Sequence, residues 1–128
     1  MDGSNSPHPT FLTVAPRFRV RDLEQALAFY TRLGFQTTYQ DAGFAILQRD
    51  GVSLHLNASP EMPARPCSVC WIAITGSDAL HQQYQQLGVV SHPLTTQPWG
   101  LTQFAVSDPA GNLLLFAERS PDPDPAAG

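Results

Sequence analysis

The sequence predicts an α+β fold made of two βαβββ modules in tandem. Three observations lead there. Tyr30-Thr31-Arg32-Leu33-Gly34 returns as Tyr84-Gln85-Gln86-Leu87-Gly88, 54 positions further on. Three strand-like runs follow each of these segments. A loop from Ala58 to Pro66, holding Pro60, Pro63 and Pro66, parts the two copies. A repeated helix-then-glycine pattern alone arises by chance; the matched number of strands makes internal duplication the better account.

The elements follow in order. Residues 1–10 are rich in Ser, Pro and Asn and are expected to be a tail. The domain is expected over residues 11–119, with modules at about 11–57 and 67–119 joined by loop 58–66. Phe18 and Val20 alternate with Arg17, Arg19 and Arg21, as in a half-buried strand. Asp22 is placed to cap a helix, with Gln25 at the third helical position to complete a capping box. Leu23, Ala26, Leu27, Tyr30 and Leu33 give that helix an apolar stripe, and Gly34 ends it. Strands are expected at Phe35–Tyr39, Phe44–Arg49 and Val52–Asn57. In the second copy Trp71 to Ile74 reads as strand, and Ser77 or Asp78 as cap. Leu80, Tyr84 and Leu87 form the stripe, and Gly88 is the stop. Its strands are expected at Val89–Leu94, Thr102–Ser107 and Leu113–Glu118. The Pro-Asp-Pro-Asp-Pro run within 120–128 cannot form helix or sheet, since alternate prolines remove backbone donors.

Composition excludes several classes. With 128 residues, 42% of them hydrophobic, the chain suits one domain with a real core and is not globally disordered. The net charge is −4, and the seven basic residues are all arginine. A general nucleic-acid binder normally shows a basic face, so none is expected; mild acidity suits a cationic small molecule better. No apolar run approaches the roughly 20 residues of a spanning helix. Met1 to Thr10 lacks the basic end and apolar stretch of a signal peptide. The expected setting is therefore the cytoplasm, with no membrane partner. Cys67 and Cys70 form a lone C-x-x-C. A zinc site needs about four ligands, and a redox pair belongs at a helix N-terminus. Here the pair enters a strand, so two small buried thiols are the simpler expectation.

Val20-Arg21-Asp22-Leu23, then Ala28-Phe29-Tyr30 and Leu33-Gly34-Phe35, with Asp108-Pro109-Ala110-Gly111-Asn112-Leu113 near the end, resemble the vicinal oxygen chelate superfamily. That superfamily includes glyoxalases, extradiol dioxygenases and bleomycin resistance proteins. The resemblance covers about residues 11–119 and implies paired modules curled into a mixed sheet around a cleft. Gln97-Pro98-Trp99-Gly100 and Phe104-Ala105-Val106, with Pro16, Phe44 and Trp71, are similar to the bleomycin resistance protein family.

Enzymes of the superfamily mostly hold a divalent metal that polarises a substrate oxygen. The resemblance implies ligand positions at Ala15, seven residues before Asp22; at Trp71, seven before Asp78; and at Leu115, after the Gly-Asn pair. None of these three side chains can coordinate. His55, in Leu54-His55-Leu56, is alone at a ligand-like place. His8 lies in the tail, His81 on a helix, and His92 in a loop before Pro93. Neither a G-x-S-x-G elbow nor a Gly-rich phosphate loop is present. Glu24 and Glu118 fall at element ends and read as exposed surface.

The aromatic residues carry more. Trp99 in its Pro-Trp-Gly loop either packs on the domain or a dimer partner, or forms a stacking wall for a flat ligand. The resemblance favours stacking. Phe44, after Asp41-Ala42-Gly43, carries the same alternatives. His55 lines the cleft or is a satisfied strand histidine, on the face of Ser53 and Asn57. Trp71, at a metal-ligand position, either fills the space a metal site would have occupied or packs in the core. The resemblance thus implies a homodimer without metal or cofactor. It would sequester a cationic aromatic antibiotic of the bleomycin type in a groove at its interface. Phe44, His55, Trp71 and Trp99 would bind it, with Tyr39 and Asp41 in support, while Arg17, Arg19 and Arg21 add local positive charge. The competing class is a metal-dependent lyase, isomerase or dioxygenase with non-standard ligands. A purely structural or regulatory dimer is a third.

Overall fold

Each module turns its alternating strands into a sheet by burying every second side chain. The computed structural model describes residues 8–61 and 68–119. Residues 1–7 and 120–128 of the expected tails, and Cys67 with most of the proline-rich loop, lie outside the described residues. The first module runs β1 (Arg17–Val20), α1 (Leu23–Arg32), β2 (Gln36–Gln40), β3 (Phe44–Arg49) and β4 (Val52–Ala58). The second runs β5 (Val69–Ala73), α2 (Ser77–Gln86), β6 (Val90–Thr96), β7 (Leu101–Ser107) and β8 (Leu113–Arg119). The sheets have the orders β1-β4-β3-β2 and β5-β8-β7-β6, the same topology twice. In each, the first strand pairs in parallel with the last and the other pairs are antiparallel. This is the expected α+β fold of tandem βαβββ modules.

The helix ends explain the repeated sequence. Both helices close with the same Schellman motif. Gly34 at φ 98° and Gly88 at φ 74° occupy the left-handed region. Phe35 N–H then reaches the Tyr30 carbonyl at 3.0 Å, and Val89 N–H the Tyr84 carbonyl at 3.3 Å. The starts differ. Asp22 caps α1 as expected, its Oδ1 accepting from Gln25 N at 3.1 Å. At α2 neither Ser77 nor Asp78 is the cap: Gly76 takes that place with φ 72° and makes no side-chain cap bond. The Glu118 carboxylate, reaching over from β8, accepts from Gly76 N at 3.1 Å and Ser77 N at 2.9 Å. Glu118 is therefore a cap supplied by another strand, not free surface, because an anion settles favourably at a helix N-terminus. Pro93 lies within β6, so His92 stands on a strand and not in a loop. Beta6 is an edge strand, where a missing N–H is tolerated.

A single core spans both modules: Phe18, Val20, Ala45, Leu47, Leu54 and Leu56 of the first sheet join Tyr30, Leu33 and Phe35. Ile72, Phe104, Val106, Leu114 and Phe116 of the second join Tyr84. Phe104 stacks on Phe116 with centroids 5.2 Å apart. The two helix tyrosines bond across the module boundary. Tyr30 Oη donates to Asp108 Oδ2 at 2.8 Å, and Tyr84 Oη to the Leu33 carbonyl at 2.7 Å. Arg49 adds bonds to the same Leu33 carbonyl at 2.6 Å and to Tyr84 Oη at 2.9 Å.

Two outcomes follow. Tyr30→Phe removes a buried hydrogen bond to a carboxylate and should lower unfolding free energy by about 2 kcal/mol. Urea denaturation at unchanged slope measures this, and a loss below about 0.5 kcal/mol would show that the tie is not a stabilising one. The second concerns Glu118, whose carboxyl is held below its ordinary value, first by the Ser77 backbone N–H. A depressed folded value means the contribution is present above the ordinary glutamate value of about 4.3 and disappears as pH falls through the lower folded one. Wild type should therefore lose more thermal stability than Glu118→Gln on acidification below about pH 4. Parallel pH profiles of Tm would contradict the capping role.

Candidate ligand-binding site

The face of each sheet opposite the core is open. On β4, Leu54 and Leu56 are fully buried, so His55 points to the other side with Ser53 and Asn57. The register then sets the neighbours. Arg17 pairs with His55 and Arg19 with Asn57. Ile46 lies beside His55 and Phe44 beside Asn57. Tyr39 pairs with Ile46 after a register shift in β2. The result is an aromatic cluster. His55 stands edge-on to Phe44 at 5.3 Å between centroids, and Tyr39 is tilted against Phe44 at 6.2 Å. The Arg17 guanidinium carbon sits 4.9 Å from the Phe44 ring centroid. Phe44 is thus the hub of this half.

Asp41 shapes the rim. Its Oδ1 accepts from Gly43 N at 2.9 Å and its Oδ2 from Tyr39 Oη at 2.8 Å. Asp41 N–H closes the turn on the Phe44 carbonyl at 2.9 Å. The Gly43 N–H holds the Asp41 carboxyl below its ordinary range, and the bond to Asp41 raises the Tyr39 phenol. This carboxylate is committed to positioning Tyr39 and the turn.

On the second sheet, Trp71 of β5 pairs with Leu115, and Leu115 with Ala105. Trp71 is 54% exposed, so core packing is not found. The reason is its phase: Cys70 and Ile72 take the inward positions of β5, leaving Trp71 on the open face. Cys70 is half-buried, and burial raises its thiol. Trp99 lies in a tight turn closed by Gln97 N–H to the Leu101 carbonyl at 2.7 Å and Gly100 N–H to the Gln97 carbonyl at 3.0 Å. Gly100 has φ 93°, which a side chain would resist. Trp99 projects from this turn with 66% of its surface exposed.

The structure brings together Tyr39, Asp41, Phe44 and His55. Trp71 and Trp99 belong to the other sheet and make no recorded ring contact with that group. A cavity of about 840 Å³ lies elsewhere, between α2 and the β3–β4 turn, lined by Arg49, Val52, Ile72, Leu80 and Tyr84. None of the six candidates lines it. The residue that sequence reasoning missed at the site is Arg17. Its alternation with Phe18 was the available signal, since burying Phe18 turns Arg17 to the open face.

The metal positions can now be read geometrically. With Gly76 as the cap of α2, Trp71 corresponds to Arg17 across the repeat. The pairings agree, Arg17 with His55 and Trp71 with Leu115. Ala15 precedes β1 and lies in no strand. Arg17, His55, Trp71 and Leu115 offer one ligating side chain between them and do not fit a divalent cation. Among the described residues, no three His, Cys, Asp or Glu side chains gather to hold one elsewhere. Among the same residues, no helix is long and apolar enough to cross a membrane.

The chain compares closely with known proteins. Residues 10–116 match the family model of the Glyoxalase/Bleomycin resistance protein/Dioxygenase superfamily. A bleomycin resistance protein of Klebsiella pneumoniae is 32% identical over 113 residues, 81% of this chain and 90% of that one. The crystal structure of a bleomycin resistance determinant encoded on the transposon Tn5 superposes with TM-score 0.78 at 29% identity, covering 85% of this chain and 98% of that one. A bleomycin-binding protein complexed with bleomycin superposes equally well, with TM-score 0.78 at 28% identity and coverage of 86% and 100%. Fold, repeat and relatives agree: the chain belongs to the glyoxalase/bleomycin resistance protein/dioxygenase superfamily, among relatives named bleomycin resistance proteins.

Proposed function

We propose that the chain is a cytoplasmic binding protein that sequesters a bleomycin-type antibiotic, without a metal of its own, in grooves shared by two copies of itself. The observation that carries this reading is the separation of two exposed aromatic half-sites. Phe44, with Tyr39 and His55, lies on one open sheet face; Trp71 lies on the edge strand β5 of the other sheet, and Trp99 in the β6–β7 turn of the same module. Neither half encloses a ligand, but a second copy could set one chain's Trp71 and Trp99 against the other's Phe44. The structure of a bleomycin-binding relative with the drug bound supports the ligand class. The N-terminal arm supports the dimer: Phe11, Leu12 and Val14 are 100%, 88% and 87% exposed, an apolar run that a partner would cover.

The two tryptophans of the chain are both candidate binding residues, so intrinsic fluorescence reports on the site directly. Titration with bleomycin should quench it. Aromatic stacking contributes about 1 kcal/mol beyond area burial. Trp99→Ala should therefore weaken binding about tenfold while leaving Tm unchanged. No quenching at millimolar drug would reject the ligand class. Sedimentation should give a dimer, and a 13.9 kDa species at micromolar concentration would remove the shared groove. Phe11→Ser with Leu12→Ser should shift the dimer toward monomer.

A further inference from the structure

A ring face can hold only one cation at a time, and in this chain Phe44 already has one. The Arg17 guanidinium sits 4.9 Å from its centroid, within the range of an attractive cation–π contact. Arg17 is exposed and comes from the neighbouring row of the same face, so the contact is built by sheet register, not by a flexible loop. Arg19, two residues on, shares that face beside Asn57 and Phe44. On the second open face Arg119 ends the row of Leu113, Leu115 and Ala117. Among the described residues, the open-face positions of the strands carry these arginines and no carboxylate, Glu118 of β8 being turned to the start of α2. Asp41, in the turn at the rim, is the carboxylate near Phe44; it is directed at Tyr39 and Gly43, and the two arginines outnumber it. The net charge of −4 belongs to the whole chain and does not describe this face.

We propose that Arg17 sets the charge preference of the aromatic site: the Phe44 platform favours an aromatic ring carrying an anionic or strongly accepting group and disfavours a cation at that point. This rests on the open faces being the ligand site, as argued above, and adds to it which end of a ligand can lie on Phe44. A cationic tail must approach the Trp71 and Trp99 half, or displace Arg17 from the ring. An acceptor group beside a stacked ring gains the Arg17 guanidinium directly. Local positive charge raises the local concentration of anions and lowers that of cations, in a salt-dependent way.

The test uses two flat fluorescent probes of opposite charge, anilinonaphthalene sulfonate and the cationic dye acriflavine, titrated into the full chain. Wild type should bind the anionic probe several-fold more tightly. Arg17→Gln should shrink that preference by about threefold or more, what an exposed cation–π contact is worth. Arg17→Lys should keep it, and Phe44→Ala should weaken the anionic probe far more than the cationic one. The exposed position of Arg17 leaves the core intact, which Tm verifies. An unchanged ratio in Arg17→Gln would overturn the proposal. So would a cationic preference in wild type, failure of both probes to bind, or binding of the anionic probe that is unchanged in Phe44→Ala. Bleomycin titrated in parallel keeps the two readings separate. Dye selectivity that follows Arg17 without bleomycin binding would remove the drug and leave the charge preference standing.

Discussion

The exchange of tyrosine hydroxyls between the modules is the constraint on which the rest of the structure depends. Tyr30 and Tyr84 occupy the same position in the repeat, on the buried face of the helix. Each sends its hydroxyl into the other module, Tyr30 to Asp108 and Tyr84 to the Leu33 carbonyl. A buried hydroxyl without a partner costs about 1–3 kcal/mol, so each tyrosine enforces the presence of its acceptor. The acceptors are themselves fixed. Asp108 Oδ1 takes the N–H groups of Ala110 and Asn112, and Asn112 Nδ2 donates to the Arg19 carbonyl at 2.9 Å. The Asp-Pro-Ala-Gly-Asn segment is thus a clasp from the second module onto β1 and α1 of the first. The Asn112 Oδ1, buried and without a protein partner, is the one loose end of this network.

Once both helices are tied inward, the outward faces of the sheets are left open. The inner face of each sheet is consumed by the shared core, and the alternation of the strands delivers every second residue to the open side. Trp71 is there because Ile72 is not, and His55 because Leu54 and Leu56 are not. The same logic decides what stands at the ligand positions of the family. Arg17, His55, Trp71 and Leu115 hold corresponding places on the two faces, and three of them have nothing to give a cation. What remains are exposed aromatic side chains on both modules, more open than the concave pockets that usually bury a small molecule.

The fold was legible because its signals are local and repeated. Gly34 and Gly88 mark helix ends that only an αL residue closes comfortably, and Phe18 and Val20 alternate as a sheet residue must. The site was legible in part. Asp41, Phe44 and His55 are drawn together by a hairpin that sequence can place. What sequence could not supply was long-range: that Glu118 crosses from β8 to cap α2, so that the helix begins at Gly76 and not with a serine or aspartate cap. That single misplacement shifted the expected counterpart of Trp71 from Arg17 to Ala15. Core packing was an open alternative for Trp71 because a short apolar strand does not reveal which phase faces the core; its 54% exposure excludes that alternative.

The acidic residues show why net charge misleads about a groove. Asp22 caps α1, Glu118 caps α2, Asp108 is the buried clasp and Asp41 holds a turn. Each is anionic for a structural reason, and each spends its charge on backbone N–H groups or tyrosine hydroxyls within the fold. The arginines divide differently. Arg49 and Arg32 turn inward to the Leu33 and Leu87 carbonyls, whereas Arg17 and Arg19 stay on the open face. These four carboxylates serve helix starts, turns and a clasp. The open face beside Phe44 carries arginine instead, because β1 alternates arginine with phenylalanine and valine. A ligand close to Phe44 meets the Arg17 guanidinium 4.9 Å from the ring centroid before it meets the Asp41 carboxylate, which is turned to Tyr39 and Gly43 at the rim.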